Sequence, residues 1–104
     1  MVDAAKQIKD KTGIYGFTLN SDYPWYIMAL MYNSGTAPVV NGKAAMDSDE
    51  VKNIFEKIQQ MSITDQSMPQ NQHATAQEDF CNGNIGMLMT SCASYAKIQE
   101  LTDG

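Results

Sequence analysis

Two groups of residues carry side chains suited to recognition chemistry. The first is Asn20, Ser21, Asp22, Tyr23 and Trp25, and the second is Thr90, Ser91, Ser94 and Tyr95. Each mixes flat rings with hydroxyl groups, and the first adds an amide and a carboxylate. Rings pack against the apolar C–H face of a sugar, while Asp, Asn and Ser side chains pair with its hydroxyls. The mixture therefore suits a neutral polyhydroxy ligand, with Asp22, Tyr23, Trp25, Ser91 and Tyr95 as the candidate contacts. An anion is discouraged by Asp22 and by a net charge of −5. A structural reading competes with this one. Ser21, Asp22 and Ser91 are also good helix caps. Trp25, Tyr26 and Tyr95 can equally be packing rings, and residue type alone does not separate the two.

The elements that would position these groups follow from the hydrophobic pattern. Residues 3–12 read as a short helix with Ala4, Ala5 and Ile8 on one side and Lys6, Lys9 and Lys11 facing water; Gly13 is its stop. The run "IYGFTL", residues 14–19, is branched and aromatic and reads as a strand. A helix follows, capped by Ser21 or Asp22, with Pro24 in its first turn and Gly35 past its end. It is apolar on nearly every side, so burial on more than one face is expected. Asn41-Gly42 between two short apolar pieces signals a hairpin. Ser48 caps the clearest helix, whose stripe is Val51, Ile54, Phe55, Ile58 and Met61. Residues 62–73 read as a loop, and 74–82 as a short helix with Phe80 inward. "IGMLMT", residues 85–90, reads as a buried strand, and Ser91 can cap a last helix through Tyr95, Ile98 and Leu101.

Strands alternating with helices define the fold class as α/β: a small sheet flanked by helices, with an added hairpin. In open α/β sheets, ligands gather outside the carboxyl ends of the strands. If the 14–19 and 85–90 strands are parallel neighbours, both chemical clusters open at one edge.

Composition bounds the function. The chain has 104 residues, 43% of them hydrophobic and 18% charged, which suits one folded domain over 1–104. Twelve acidic residues against seven basic ones argue against nucleic acid and against an electrostatic membrane anchor. The longest apolar run, 23–32, is about half of the ~20 residues that a membrane span requires. No export signal is visible at the start of this chain. One His and two Cys, unclustered, offer no metal-site spacing, and no cofactor is expected. Cys81 and Cys92 read as buried thiols or a disulfide, with buried thiols favoured. There is no nucleophile elbow, phosphate loop or dinucleotide fingerprint, and the adjacent Glu78 and Asp79 point in different directions on a helix, so no enzyme is expected.

The order of these features resembles bacterial extracellular solute-binding proteins, the sugar-binding subunits of ABC importers. The likeness is carried by Tyr23-Pro24-Trp25 at a helix start, Asn33-Ser34-Gly35 at its end and Asn41-Gly42-Lys43 in the hairpin. It continues through Met46-Asp47-Ser48-Asp49-Glu50-Val51 and Phe80-Cys81-Asn82-Gly83-Asn84-Ile85-Gly86-Met87. The resemblance implies a partial lobe of a periplasmic-binding-protein-like fold, part of the carboxy-terminal lobe of a two-lobed protein. It implies a carbohydrate ligand, a permease partner in an ABC transporter, and an extracellular or periplasmic location with membrane tethering in the full-length protein. It also places Asp22, Tyr23 and Trp25 on one ligand wall and the Ser91–Tyr95 turn on another. Two departures stand out: the Gly-Gly turn is Ser34-Gly35, and the aromatic often found just after the second strand is replaced, with Tyr95 the nearest ring. A rival reading is a small self-associating interaction domain anchored by Trp25, Tyr26 and Tyr32, a homo-oligomer through its exposed face.

Overall fold

In the computed structural model, the lysine-rich amino-terminal segment forms helix α1 (Val2–Thr12). The structure describes residues 1–19, 24–70 and 75–102. Ala5 is fully buried and Ile8 half-buried, while Ala4 is exposed, so the helix's buried stripe is narrower than expected. Gly13 closes α1, its N–H donating to the Lys9 carbonyl at 2.9 Å. Lys6 is held above the ordinary lysine pKa by its hydrogen bond to the Asp10 carboxylate one turn on, and by that group's charge. Both belong to the solvent face of α1.

The first strand is shorter than its sequence predicts. Only Thr18–Leu19 (β1) pairs as a strand, with Tyr15 bridging Ile85 farther back. Between them the backbone is diverted. Gly16 and Phe17 both donate to the Ser67 carbonyl, at 2.7 and 3.1 Å, and Gly16 lies against the backbone of Ala5. The partner strand β4 (Leu88–Met89) runs parallel to β1, with Thr18 opposite Leu88 and Leu19 opposite Met89. Ile85 is buried, but Leu88 and Met89 are only half-buried, so the 85–90 stretch is less enclosed than expected.

Helix α2 (Pro24–Asn33) packs on α3 (Asp49–Gln59). Met31 is fully buried with Val51 and Ile54 of α3, and Leu30 reaches both core clusters. Yet Trp25, Ala29 and Tyr32, spaced i, i+4, i+7, are all exposed. The all-round apolar character of α2 is therefore met by burial on some faces and an open aromatic stripe on another. The hairpin forms as its Asn-Gly pair requires. β2 (Val39–Val40) and β3 (Lys43–Ala44) pair antiparallel, and Asn41 and Gly42 take φ of 52° and 75°. Positive φ at both central positions gives the twist of a two-residue hairpin.

Ser48 caps α3, its Oγ accepting the Val51 N–H at 3.4 Å, with Asp49 and Glu50 in the first turn. Val51, Ile54 and Met61 are buried and Ile58 half-buried; Phe55 is 47% exposed. A rotation of about 100° per residue leaves Phe55 at the margin of that stripe. The stretch expected as a loop after α3 instead continues as one wide π-type turn, Gln60–Thr64. The chain reverses at Gln66, and Ser67 and Met68 return to the core, both donating to the Met61 carbonyl. Ala5, Phe17, Leu19, Met61 and Met68 form the main cluster.

Short helix α4 (Ala76–Cys81) buries Ala76 and half-buries Phe80. Beyond β4, Cys92–Ser94 make a 3-10 turn that runs into α5 (Tyr95–Leu101). Ser91 precedes this turn but makes no side-chain capping bond, contrary to expectation. Cys81 and Cys92 are both free thiols, and Cys92 is exposed rather than buried. Among the described residues the architecture is five α-helices around two small two-stranded sheets, an α/β arrangement. The radius of gyration, 14.8 Å, exceeds the about 13 Å of a compact chain this long.

Candidate functional site

Because β1 and β4 are parallel, the chain leaves both strands at the same edge of the sheet. From β1 it passes toward α2, and from β4 into the turn at 91–94. One hydrogen bond ties these exits together. The Ser91 N–H donates to the Tyr26 hydroxyl at 3.1 Å, across 65 residues of sequence. Tyr26 is buried, 8% exposed, in the first turn of α2. Its ring is buried while its hydroxyl reaches the turn. This also removes Tyr26 from the set of possible surface anchors.

Trp25, its neighbour in sequence, is 54% exposed, and Tyr95, the first residue of α5, is 69% exposed. Ser91 is exposed as well. The start of α2 and the turn after β4 thus share one edge, with an indole presented on the first and a hydroxyl and a phenol on the second. Asp22 and Tyr23, with Asn20 and Ser21, lie outside the described residues, so their part in the edge stays an expectation.

The edge includes groups that the sequence does not advertise. Gln77 of α4 donates from Nε2 to Ser94 Oγ at 2.7 Å and to Thr90 Oγ1 at 3.4 Å, and the two hydroxyls are 3.0 Å apart. No spacing rule connects position 77 with 90 and 94; only the packing of α4 beside β4 brings them together. At the carboxyl end of β1 a groove of about 310 Å³ opens among Thr18, Leu19, Ile27, Phe55, Met68 and Pro69. Phe55, displaced from the core stripe, lines it.

Among the described residues, no group of three or more His, Cys, Asp or Glu could hold a metal ion, and no helix is long and apolar enough to cross a membrane.

Removing the Tyr26 hydroxyl tests the link between the two exits. Tyr26→Phe keeps the ring and leaves the Ser91 N–H to bond water in place of the hydroxyl. Such a loss costs about 0.5–1.5 kcal/mol, read as a lower urea midpoint with an unchanged m-value.

The profile of the bacterial extracellular solute-binding protein family matches residues 1–103, and the chain belongs to that family. No curated protein and no solved structure matches the chain. Membership establishes extracellular solute binding for transport as its role, with a transporter as the general partner. Proteins of this family generally bind rather than catalyse.

Proposed function

We propose that this chain binds a neutral polyhydroxy solute, a sugar or oligosaccharide, for uptake through an ABC importer, and that it supplies one wall of the binding cleft. The observation that carries the reading is the meeting of the two strand exits through the Tyr26–Ser91 bond. Trp25 would stack on the pyranose face, with Tyr23 beside it. Asp22 and Ser91 would pair with ring hydroxyls, and Tyr95 would flank the second wall. A second lobe closing by a hinge would complete the contacts and exclude water. The protein would act outside the membrane, tethered to it, and deliver the ligand to the permease without catalysis.

Trp25 is the only tryptophan among these 104 residues, so the part of the full-length protein's indole emission that Trp25→Phe removes reports on this edge. Titration of the full-length protein with neutral mono- and oligosaccharides, polyols, amino acids and carboxylates should give a saturable change with the neutral sugars. Saturation by carboxylates or amino acids, with none by sugars, would overturn the assignment.

The open stripe of Trp25, Ala29 and Tyr32 favours one rival, pairing of two copies through α2. Sedimentation of this chain distinguishes them: a dimer that Tyr32→Ser dissolves, while ligand titration stays flat, supports the rival.

A further inference from the structure

The turn that presents Ser91 and Tyr95 is held from two sides. On one side, the Tyr26 hydroxyl of α2 takes the Ser91 N–H. On the other, the Gln77 amide of α4 reaches Ser94 Oγ at 2.7 Å and Thr90 Oγ1 at 3.4 Å, and the hydroxyls of Thr90 and Ser94 lie 3.0 Å apart. These three polar groups close a triangle across the turn, whose apex residues flank Ser91. All three are half-buried, whereas Ser91 and Tyr95 stay exposed. The geometry separates two tasks: an inner set of polar groups fixes the backbone, and an outer set faces the solvent.

We infer that Gln77 is a positioning residue: its amide fixes the Thr90–Ser94 turn, and so sets where Ser91 and Tyr95 meet a ligand. This rests on the reading of that turn as a ligand wall. A half-buried network is less exposed to competition from water than a surface one. A wall fixed before binding spares the ordering cost that a mobile turn would meet on contact. Ser91 needs such support from outside, since its own side chain makes no capping bond to the turn.

The test compares Gln77→Leu with Gln77→Glu. Leu removes both bonds at similar volume. Glu lacks the N–H donor, but its carboxylate accepts from the Thr90 and Ser94 hydroxyls, so both links to position 77 can form again, at the expense of the bond between the two hydroxyls. Amide hydrogen exchange in this chain gives a readout independent of any ligand. In Gln77→Leu the Ser91 and Ser94 amides should exchange about tenfold faster, as expected for the loss of two modest bonds. The Phe17 amide, bonded to Ser67 in the core, should not change. Gln77→Glu should restore most of the protection. If Gln77→Leu unfolds, the near-isosteric Thr90→Val makes the same comparison. Unchanged exchange at Ser91 overturns the inference.

In the full-length protein, the affinity for whichever neutral sugar gives the indole signal should fall about tenfold in Gln77→Leu and recover in Gln77→Glu. A loosened turn with unaltered affinity also overturns the positioning role. If no sugar binds even the unsubstituted protein, the carbohydrate reading fails, and amide exchange alone decides what Gln77 does.

Discussion

Gly16→Ala should unfold the protein or bring it close to unfolding. A Cβ at position 16 would lie 1.9 Å from the Ala5 carbonyl oxygen and 2.5 Å from the Ala5 carbonyl carbon and Cα. These are backbone atoms of α1, and no rotamer change can move them. Gly16 is also buried and fixed on its other side, where its N–H donates to Ser67 at 2.7 Å. Relief would require α1 to lift from the sheet, which would open the cluster of Ala5, Phe17 and Met61. Overpacking by a methylene or so in an adaptable core costs about 1–3 kcal/mol. A rigid backbone clash belongs to the rarer class above about 4 kcal/mol. Against a total stability of about 5–15 kcal/mol that is a large share. The melting temperature should drop by at least about 15 °C. Gly86→Ala is the control. Its Cβ would meet the Ile8 side chain at 3.0 Å, which can turn aside, and the Gly16 carbonyl oxygen at 3.6 Å, an ordinary van der Waals contact. Circular dichroism melts of both variants decide the matter. A Gly16→Ala protein as stable as Gly86→Ala would show that α1 is not seated against β1 in this way.

The same contact explains where the sequence pattern stops being informative. "IYGFTL" has the composition of a six-residue strand, yet only Thr18–Leu19 pairs as one. The pattern registers apolar and branched side chains; it does not register that Gly16 is needed because a helix backbone passes over it. Local signals were legible where the physics is local. Asn41-Gly42 specifies its own turn, and Ser48 caps its own helix. The parallel pairing of β1 and β4 was accessible as a consequence of alternating strands and helices. By contrast, Phe55 shares the spacing of its core neighbours and differs only in its rotation about α3. The bond between Tyr26 and Ser91 joins residues 65 positions apart, and Gln77 meets Thr90 and Ser94 through the seating of α4. Such contacts are set by packing, and one sequence read alone carries no trace of them. The aromatic stripe of α2 errs in the opposite direction. Its residue types suggest burial on more than one face, and the structure leaves Trp25 and Tyr32 facing outward.

That outward face makes Trp25→Ala the decisive test of ligand contact. Truncating a buried tryptophan removes core packing and costs about 3–5 kcal/mol. Trp25 is 54% exposed, so much less packing is at stake, and the melting temperature should move by only a few degrees. Binding should respond far more strongly. A stacked indole contributes a large apolar area in a rigid shape with few rotatable bonds, and aromatic anchors of this type commonly account for at least about 2 kcal/mol of an interaction. The dissociation constant for a neutral sugar should therefore rise about thirtyfold or more. Trp25→Phe keeps a flat ring of smaller area and should retain most of the affinity. Since Trp25→Ala removes this edge's own indole signal, calorimetry is the appropriate measurement. The pairing of outcomes matters more than either alone. A large loss of affinity with stability preserved assigns the indole to the ligand. A large loss of stability with affinity preserved assigns it to the fold, and the wall must then be sought elsewhere on the edge where β1 and β4 end.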